Sequence, residues 1–142
     1  MADDAFVTCG LAVVHPWLCD RMGHLTTRHY MGMFDDASYQ LFAMLDPDAD
    51  TSGSAEQGWA DIRHEIAYLN ELGVGALVRI EGRVTALGRT SIGTEYRMVR
   101  QSDGRLCATL AARTVCFDLV AREAAPLPDP LRAKAAALFG ID

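Results

Sequence analysis

The chain has 142 residues, half of them hydrophobic and 23% charged, with 19 acidic against 13 basic side chains and a net charge of −6. That length suits one domain with a real core, and the acidic balance argues against a duplex-binding surface, so nucleic acid is not expected as a partner. The N-terminus, MADDAFVTCG, lacks a positive region followed by an apolar run, and no apolar run approaches bilayer length, so no membrane is expected and a cytoplasmic protein is.

Phe6 to Val14 is apolar with β-branched content and stops at His15-Pro16, because proline cannot donate to a continuing ladder; this predicts the first strand. Trp17 to His24 reads as a loop. The stretch from Asp20 to Leu45 holds the strongest periodicity in the sequence. Apolar residues at Tyr30, Met33, Phe34, Ala37, Leu41, Met44 and Leu45 follow the i, i+3, i+4, i+7 series of a buried helix, and Met31 and Phe42 widen that surface until little of it should face water. Thr26 or Thr27 offers a hydroxyl to cap the first amides. Asp46-Pro47 ends the helix, and Asp46 to Gly58, polar and rich in Gly and Ser, reads as a mobile connection rather than a domain boundary.

Four strand-like runs follow, Trp59 to Leu69, Leu77 to Leu87, Ser91 to Arg100 and Arg105 to Leu119, separated by turn signals at Asn70 to Gly75, Gly88-Arg89 and Ser102-Asp103-Gly104. Asp-Gly between two such runs is a hairpin signal, which makes the last two strands antiparallel neighbours. Val78, Ile80, Val84 and Ala86 share one face of their strand, and Arg79, Glu81, Arg83 and Thr85 the other. Pro126 to Gly140 forms a tail with a short helix over Leu131 to Phe139. Cys9, Cys19, Cys107 and Cys116 lack metal or redox spacing and read as quiet thiols. The order β-α-β-β-β-β predicts an α+β fold in which a bent antiparallel sheet of five strands curls around the long helix. Such a sheet leaves an edge open, and pairing edges across a two-fold axis makes a homodimer the default.

Asp20-Arg-Met-Gly23-His24-Leu-Thr26-Thr-Arg-His-Tyr30, followed by Met33-Phe34-Asp35-Asp36-Ala37, resembles the D-x-x-G-H-x-N-x-x-x-Y pattern of hotdog-fold acyl-CoA thioesterases of the 4-hydroxybenzoyl-CoA thioesterase type. His64 to Leu72 is similar to their second-strand segment, and Gly104 to Thr109 through Phe117-Asp118-Leu119 resembles their last strand. Within that family the chain looks closest to the betainyl-CoA thioesterases. Two departures bear on the site. Thr26 stands where many relatives have Asn, and Thr27 stands where one branch has His, so neither of those side-chain roles carries over.

The resemblance implies hydrolysis of an acyl-CoA thioester without metal or organic cofactor, in a homodimer or a tetramer. Asp20 would act as general base or nucleophile, with the choice open. The oxyanion would meet backbone N–H groups at the helix start, near Thr26 to Arg28 with Thr27 at the centre. His24 would orient the carbonyl, protonate the leaving sulfur or pin the loop. Among substrate-binding candidates, Tyr30, Asp35 and Trp17 supply aromatic faces and a carboxylate for the acyl group. Asp35 is equally readable as a partner of the helix dipole. His64 reads as a buried structural histidine or a substrate contact, on one face with Ile62 and Ile66. Arg89 is a candidate for the CoA phosphates. Enoyl-CoA hydration on the same fold wants a longer spacing than the three residues between Asp20 and His24; a hotdog dimer that binds its ligand without turnover is the non-enzyme alternative.

Overall fold

The computed structural model describes residues 5–47 and 56–141. Most of the expected connection between the helix and the second strand lies outside the described residues. β1 (Val7–Val13) leads through a 3-10 turn over Pro16–Leu18 into α1 (Thr27–Leu45). β2 (Gln57–Tyr68), β3 (Leu77–Leu87), β4 (Ser91–Arg100) and β5 (Leu106–Asp118) follow. The tail adds a two-residue strand, β6 (Glu123–Ala124), and α2 (Asp129–Phe139). The sheet is antiparallel throughout, in the order β1-β3-β4-β5-β2 with β6 beside β5, so β1 and β2 are its edges. Five long strands wrapped on one long helix are the α+β hotdog architecture expected from the order of elements. The 3-10 turn and β6 carry no periodicity and were not anticipated.

α1 forms because Tyr30, Phe34, Ala37, Leu41 and Leu45 recur at helical spacing, and all five are buried. Phe34 and Leu41 are fully enclosed, each contributing about 1.5–3 kcal/mol of transfer free energy. The stripe is narrower than its composition suggests. Met44 is 37% and Tyr39 72% exposed, so within one chain a whole side of the helix faces outward. Thr26 is the N-cap residue, but its hydroxyl makes no capping bond; its carbonyl accepts from the His29 N–H at 2.9 Å instead. Asp46 closes the helix by donating its N–H to the Phe42 carbonyl.

The β4–β5 turn is the expected Asp103-Gly104 hairpin, with Gly104 at φ +71°, a left-handed conformation that a glycine adopts without strain. On the sheet's inner face Val78, Ile80 and Val84 of β3 lie with Ile92, Tyr96 and Met98 of β4 in the core. The outer face carries the ion pairs Arg79–Glu81, Arg97–Glu81 and Arg83–Glu95. α2 is tied to the β3–β4 turn by the Arg132 guanidinium, which donates to the Gly88 carbonyl at 2.6 Å, and it buries Leu131 and Ala135.

Candidate active site

The approach to α1 is a small hairpin. Cys19 and Leu25 pair as an antiparallel bridge, the Asp20 N–H donates to the His24 carbonyl at 2.8 Å, and the Thr26 N–H donates to the Leu18 carbonyl at 2.9 Å. Gly23, at φ +79°, makes the turn, where any other residue would be strained. Asp20 is exposed, and its Oδ1 accepts from the Met22 N–H at 2.9 Å and the His24 N–H at 3.2 Å, a carboxylate capping its own turn. Its Oδ2 has no hydrogen-bond partner among the described residues. The hairpin is fixed to the β2–β3 connection: the Leu25 N–H donates to the Leu72 carbonyl, and His24 Nε2 lies 3.3 Å from Glu71 Oε2. The amides of Thr27 and Arg28, in the first turn of α1, have no backbone partner among the described residues.

Tyr30 lies buried one turn on, edge-to-face against Tyr68 with ring centroids 5.0 Å apart. Burial pushes its phenol up, and Cys107, Tyr68, Asp20 and Glu71 add to the shift. Trp17, 74% exposed, is stacked on His15 at 4.4 Å and 8° between planes. Arg89 is exposed on the β3–β4 turn, where its carbonyl receives the Leu127 N–H.

A cavity of about 840 Å³ opens between the outward side of α1 and strands β2, β4 and β5, with Pro128 and Leu131 of the tail at its wall. Of the candidates read from sequence, Asp35 and His64 line it; Asp20, His24, Thr27, Tyr30, Trp17 and Arg89 do not. His64 is not enclosed, its side chain being 32% accessible, because it faces this space rather than the core. Nor does it share a face with Ile62. Asp61 pairs with Thr114 and Arg63 with Arg113, which leaves Ile62 as an unpaired bulge residue, 59% exposed. The bulge resets the alternation and brings Asp61 and His64 to the same side. His64 Nε2 is 3.8 Å from Asp61 Oδ1, which also accepts from the Thr114 hydroxyl at 2.9 Å.

Beside them Thr94 and Tyr96 of β4 line the cavity, both buried. Asp61, Thr94, Tyr96 and Thr114 were not singled out in the sequence. Strand alternation marks Thr94 and Tyr96 as sharing a face with Ile92 and Met98, but nothing in the sequence announces the bulge at Ile62. No group of three or more potential metal ligands exists among the described residues, and no helix is long and apolar enough to cross a membrane.

Comparison with curated protein sequences finds no match. Among solved structures the fold is similar to that of a Staphylococcus aureus protein in complex with CoA (TM-score 0.86, 13% identity, 95% of this chain and 85% of that one). It is similar to a 1,4-dihydroxy-2-naphthoyl-CoA thioesterase from Synechocystis (TM-score 0.78, 16% identity, 89% and 93%). It is also similar to a Thermus thermophilus thioesterase complexed with coenzyme A and Zn (TM-score 0.75, 24% identity, 94% and 96%). Residues 14–135, from the end of β1 through most of α2, match the profile of the thioesterase-like superfamily, and the chain belongs to that superfamily.

Proposed function

We propose that the protein hydrolyses a small acyl-CoA thioester to the free acid and CoA. The observation that carries this reading is the helix approach: Asp20 lends only Oδ1 to its turn, keeps Oδ2 free, and stands in the hairpin that delivers the unpaired Thr27 and Arg28 amides. Oδ2 serves as general base towards water or as nucleophile. The two amides receive the oxyanion of the tetrahedral intermediate, each such donor lowering the barrier by about 3 kcal/mol. His24, 3.3 Å from Glu71 of the β2–β3 connection, is the group available to protonate the departing thiolate.

The loop and the cavity are separate within one chain, so this reading calls for a homodimer whose shared slot collects groups from both copies, with a tetramer as a pair of such dimers. The open β2 edge, with Trp59, Ile62 and Tyr68 exposed along it, is the surface that supports such pairing. The exposed Arg89 is assigned to the CoA phosphates, and Trp17, Asp35 and His64 to the acyl group. Among the described residues the cavity is lined by Asp35, Asp46, Glu56 and Asp61 and by no Lys or Arg, which disfavours an anionic acyl group and admits a neutral or a betainyl one. A cytoplasmic location suits a protein that draws on CoA esters.

Thiol release from short, branched, aromatic and betainyl CoA esters, followed with a thiol-reactive dye, tests the proposal. The wild type is expected to hydrolyse at least one of them, and Asp20→Asn to lose at least a hundredfold, about 2.7 kcal/mol. Asn keeps an oxygen for the Met22 and His24 amides, so the loss reports the charge and not the turn. The self-capped Asp20 also favours a second reading, a dimer that binds acyl-CoA without turnover. A wild type that binds these esters and releases no thiol from any of them would establish it.

A further inference from the structure

Among the described residues that line the cavity, the titratable side chains are four carboxylates, two phenols and one imidazole, that of His64. Of these chemistries the imidazole is the usual proton carrier. His64 also has a scaffold behind it. Its Nε2 lies 3.8 Å from Asp61 Oδ1, at ion-pair distance, and the same oxygen accepts from the Thr114 hydroxyl at 2.9 Å. The order Thr114, Asp61, His64 thus runs from β5 across to β2 and ends at Nδ1, which has no hydrogen-bond partner among the described residues. A carboxylate beside Nε2 favours the proton there, which leaves Nδ1 of the neutral ring as an acceptor. In register beside His64 stand Ala112 of β5 and, beyond it, Thr94 of β4, small neighbours that leave the ring room; 32% of its side chain is accessible. The bulge at Ile62 interrupts the ladder, and what it yields is an acid and an imidazole on one face that strict alternation would keep apart.

We propose that His64, backed by Asp61 and Thr114, is the general base for water in the hydrolytic step, and that it serves the Asp20 hairpin of a second copy. A second copy is required because the hairpin and the cavity are separate within one chain, and it is available because His64 lies on the open edge strand. With the proton of water going to His64, the nucleophile's role falls to Asp20. Asp20 Oδ2 bonds to the acyl carbon, the C–S bond breaks, and the sulfur leaves with the electron pair and takes a proton from His24. Water then bonds to the acyl carbon of the resulting anhydride and gives a proton to His64 Nδ1. The bond to Asp20 breaks, its carboxylate returns, and the acid is released. Both histidines recover their starting states by exchange with solvent. Asp61 is a positioning residue: it orients Nε2, and its charge offsets that of the imidazolium. The inference rests on the proposed hydrolase and deepens it by naming the base and the copy that supplies it.

Thiol release from a CoA ester that the wild type turns over, followed through the first turnover and into the steady state, tests it. His64→Gln is expected to release about one thiol per site in a burst and then to turn over roughly a hundredfold more slowly than wild type, because acylation proceeds and the anhydride lacks its base. The burst itself shows that the variant is folded. Asp20→Asn is expected to give no burst. Asp61→Asn keeps an oxygen for Thr114 and is expected to lower kcat roughly tenfold with KM unchanged, a split that a merely structural role would not produce. A purified heterodimer with Asp20→Asn in one copy and His64→Gln in the other is expected to keep about half the wild-type turnover, since one of its two sites is intact. Steady-state turnover of His64→Gln within about threefold of wild type overturns the inference and spares the hydrolase. A His64→Gln loss without a burst, full kcat in Asp61→Asn or an inactive heterodimer overturns it as well. A wild type that releases no thiol from any ester overturns the hydrolase and the inference with it.

Discussion

Asp20 and Asp61 are both held by hydrogen-bond donors, yet from opposite sources. Asp20 is held by amides of its own turn, two and four residues along the chain, in a hairpin exposed to solvent. Asp61 is held by a hydroxyl on the neighbouring strand, fifty-three residues away, and faces His64 only because a bulge intervenes. A group anchored by its own loop keeps its place whatever happens to the core. A group anchored across strands reports on the packing of the whole sheet.

The largest expected effect separates these two kinds of anchorage at the level of chemistry. Asp20→Asn should cut turnover at least a hundredfold while leaving the thermal midpoint where it was, since the turn's hydrogen bonds survive. A variant that loses activity and stability in equal measure would mean that Asp20 matters as a cap and not as a base.

The difference in anchorage also explains what could be read from the sequence. The helix, the strands and the Asp103-Gly104 turn were legible because each is written in local spacing, whereas Asp20, His24, Thr27 and Tyr30 were singled out through a resemblance carried by one short segment. Asp61 was not. On strict alternation it belongs opposite His64, and only the unpaired Ile62 puts them on one face, a property of pairing with β5 that no local pattern carries. The exposure of Met44 and Tyr39 was missed for a related reason: periodicity tells which residues are apolar, not how far the sheet curls to cover them.

Gly82 tests the cavity side of the comparison. A Cβ there would stand 2.9 Å from Cδ1 and Cε1 of the Tyr96 ring and 3.1 Å from the Cys9 sulfur, so the ring could not keep its position. Gly82→Ala is expected to destabilise by about 1–3 kcal/mol, measured by urea unfolding, and to alter acyl-analogue binding with the Asp20 turn unaffected. Thr114→Val is a milder probe of the same side. It removes the hydroxyl that holds Asp61, but Asp61 is half exposed and can rehydrate, so a cost of about 1 kcal/mol is expected in the same urea unfolding. An unchanged unfolding midpoint in Thr114→Val would show that the sheet does not draw on the bond between Asp61 and its neighbour across the strands.

The smallest expected effect lies on the loop side and depends on pH. Asp103 is held at about 2, below its ordinary 3.8, chiefly by the Arg100 guanidinium, with the Arg105 N–H adding to it. Because the folded value is the lower one, the pairing contributes fully above about pH 3.8 and is lost as pH falls through about 2. The same Arg100 donates to the Glu71 carbonyl at 2.8 Å, and the Glu71 side chain meets His24. Acid release of Asp103 should therefore loosen the β2–β3 connection and, through it, the hairpin that carries Asp20. The thermal midpoints of wild type and Asp103→Asn are expected to differ slightly at pH 5 and to converge towards pH 2, with added salt shrinking the gap because the pair is on the surface. Faster amide exchange confined to His24 and Leu25 in Asp103→Asn would place the coupling on the loop; equal acceleration along β2 and β5 would show that the two regions unfold as one.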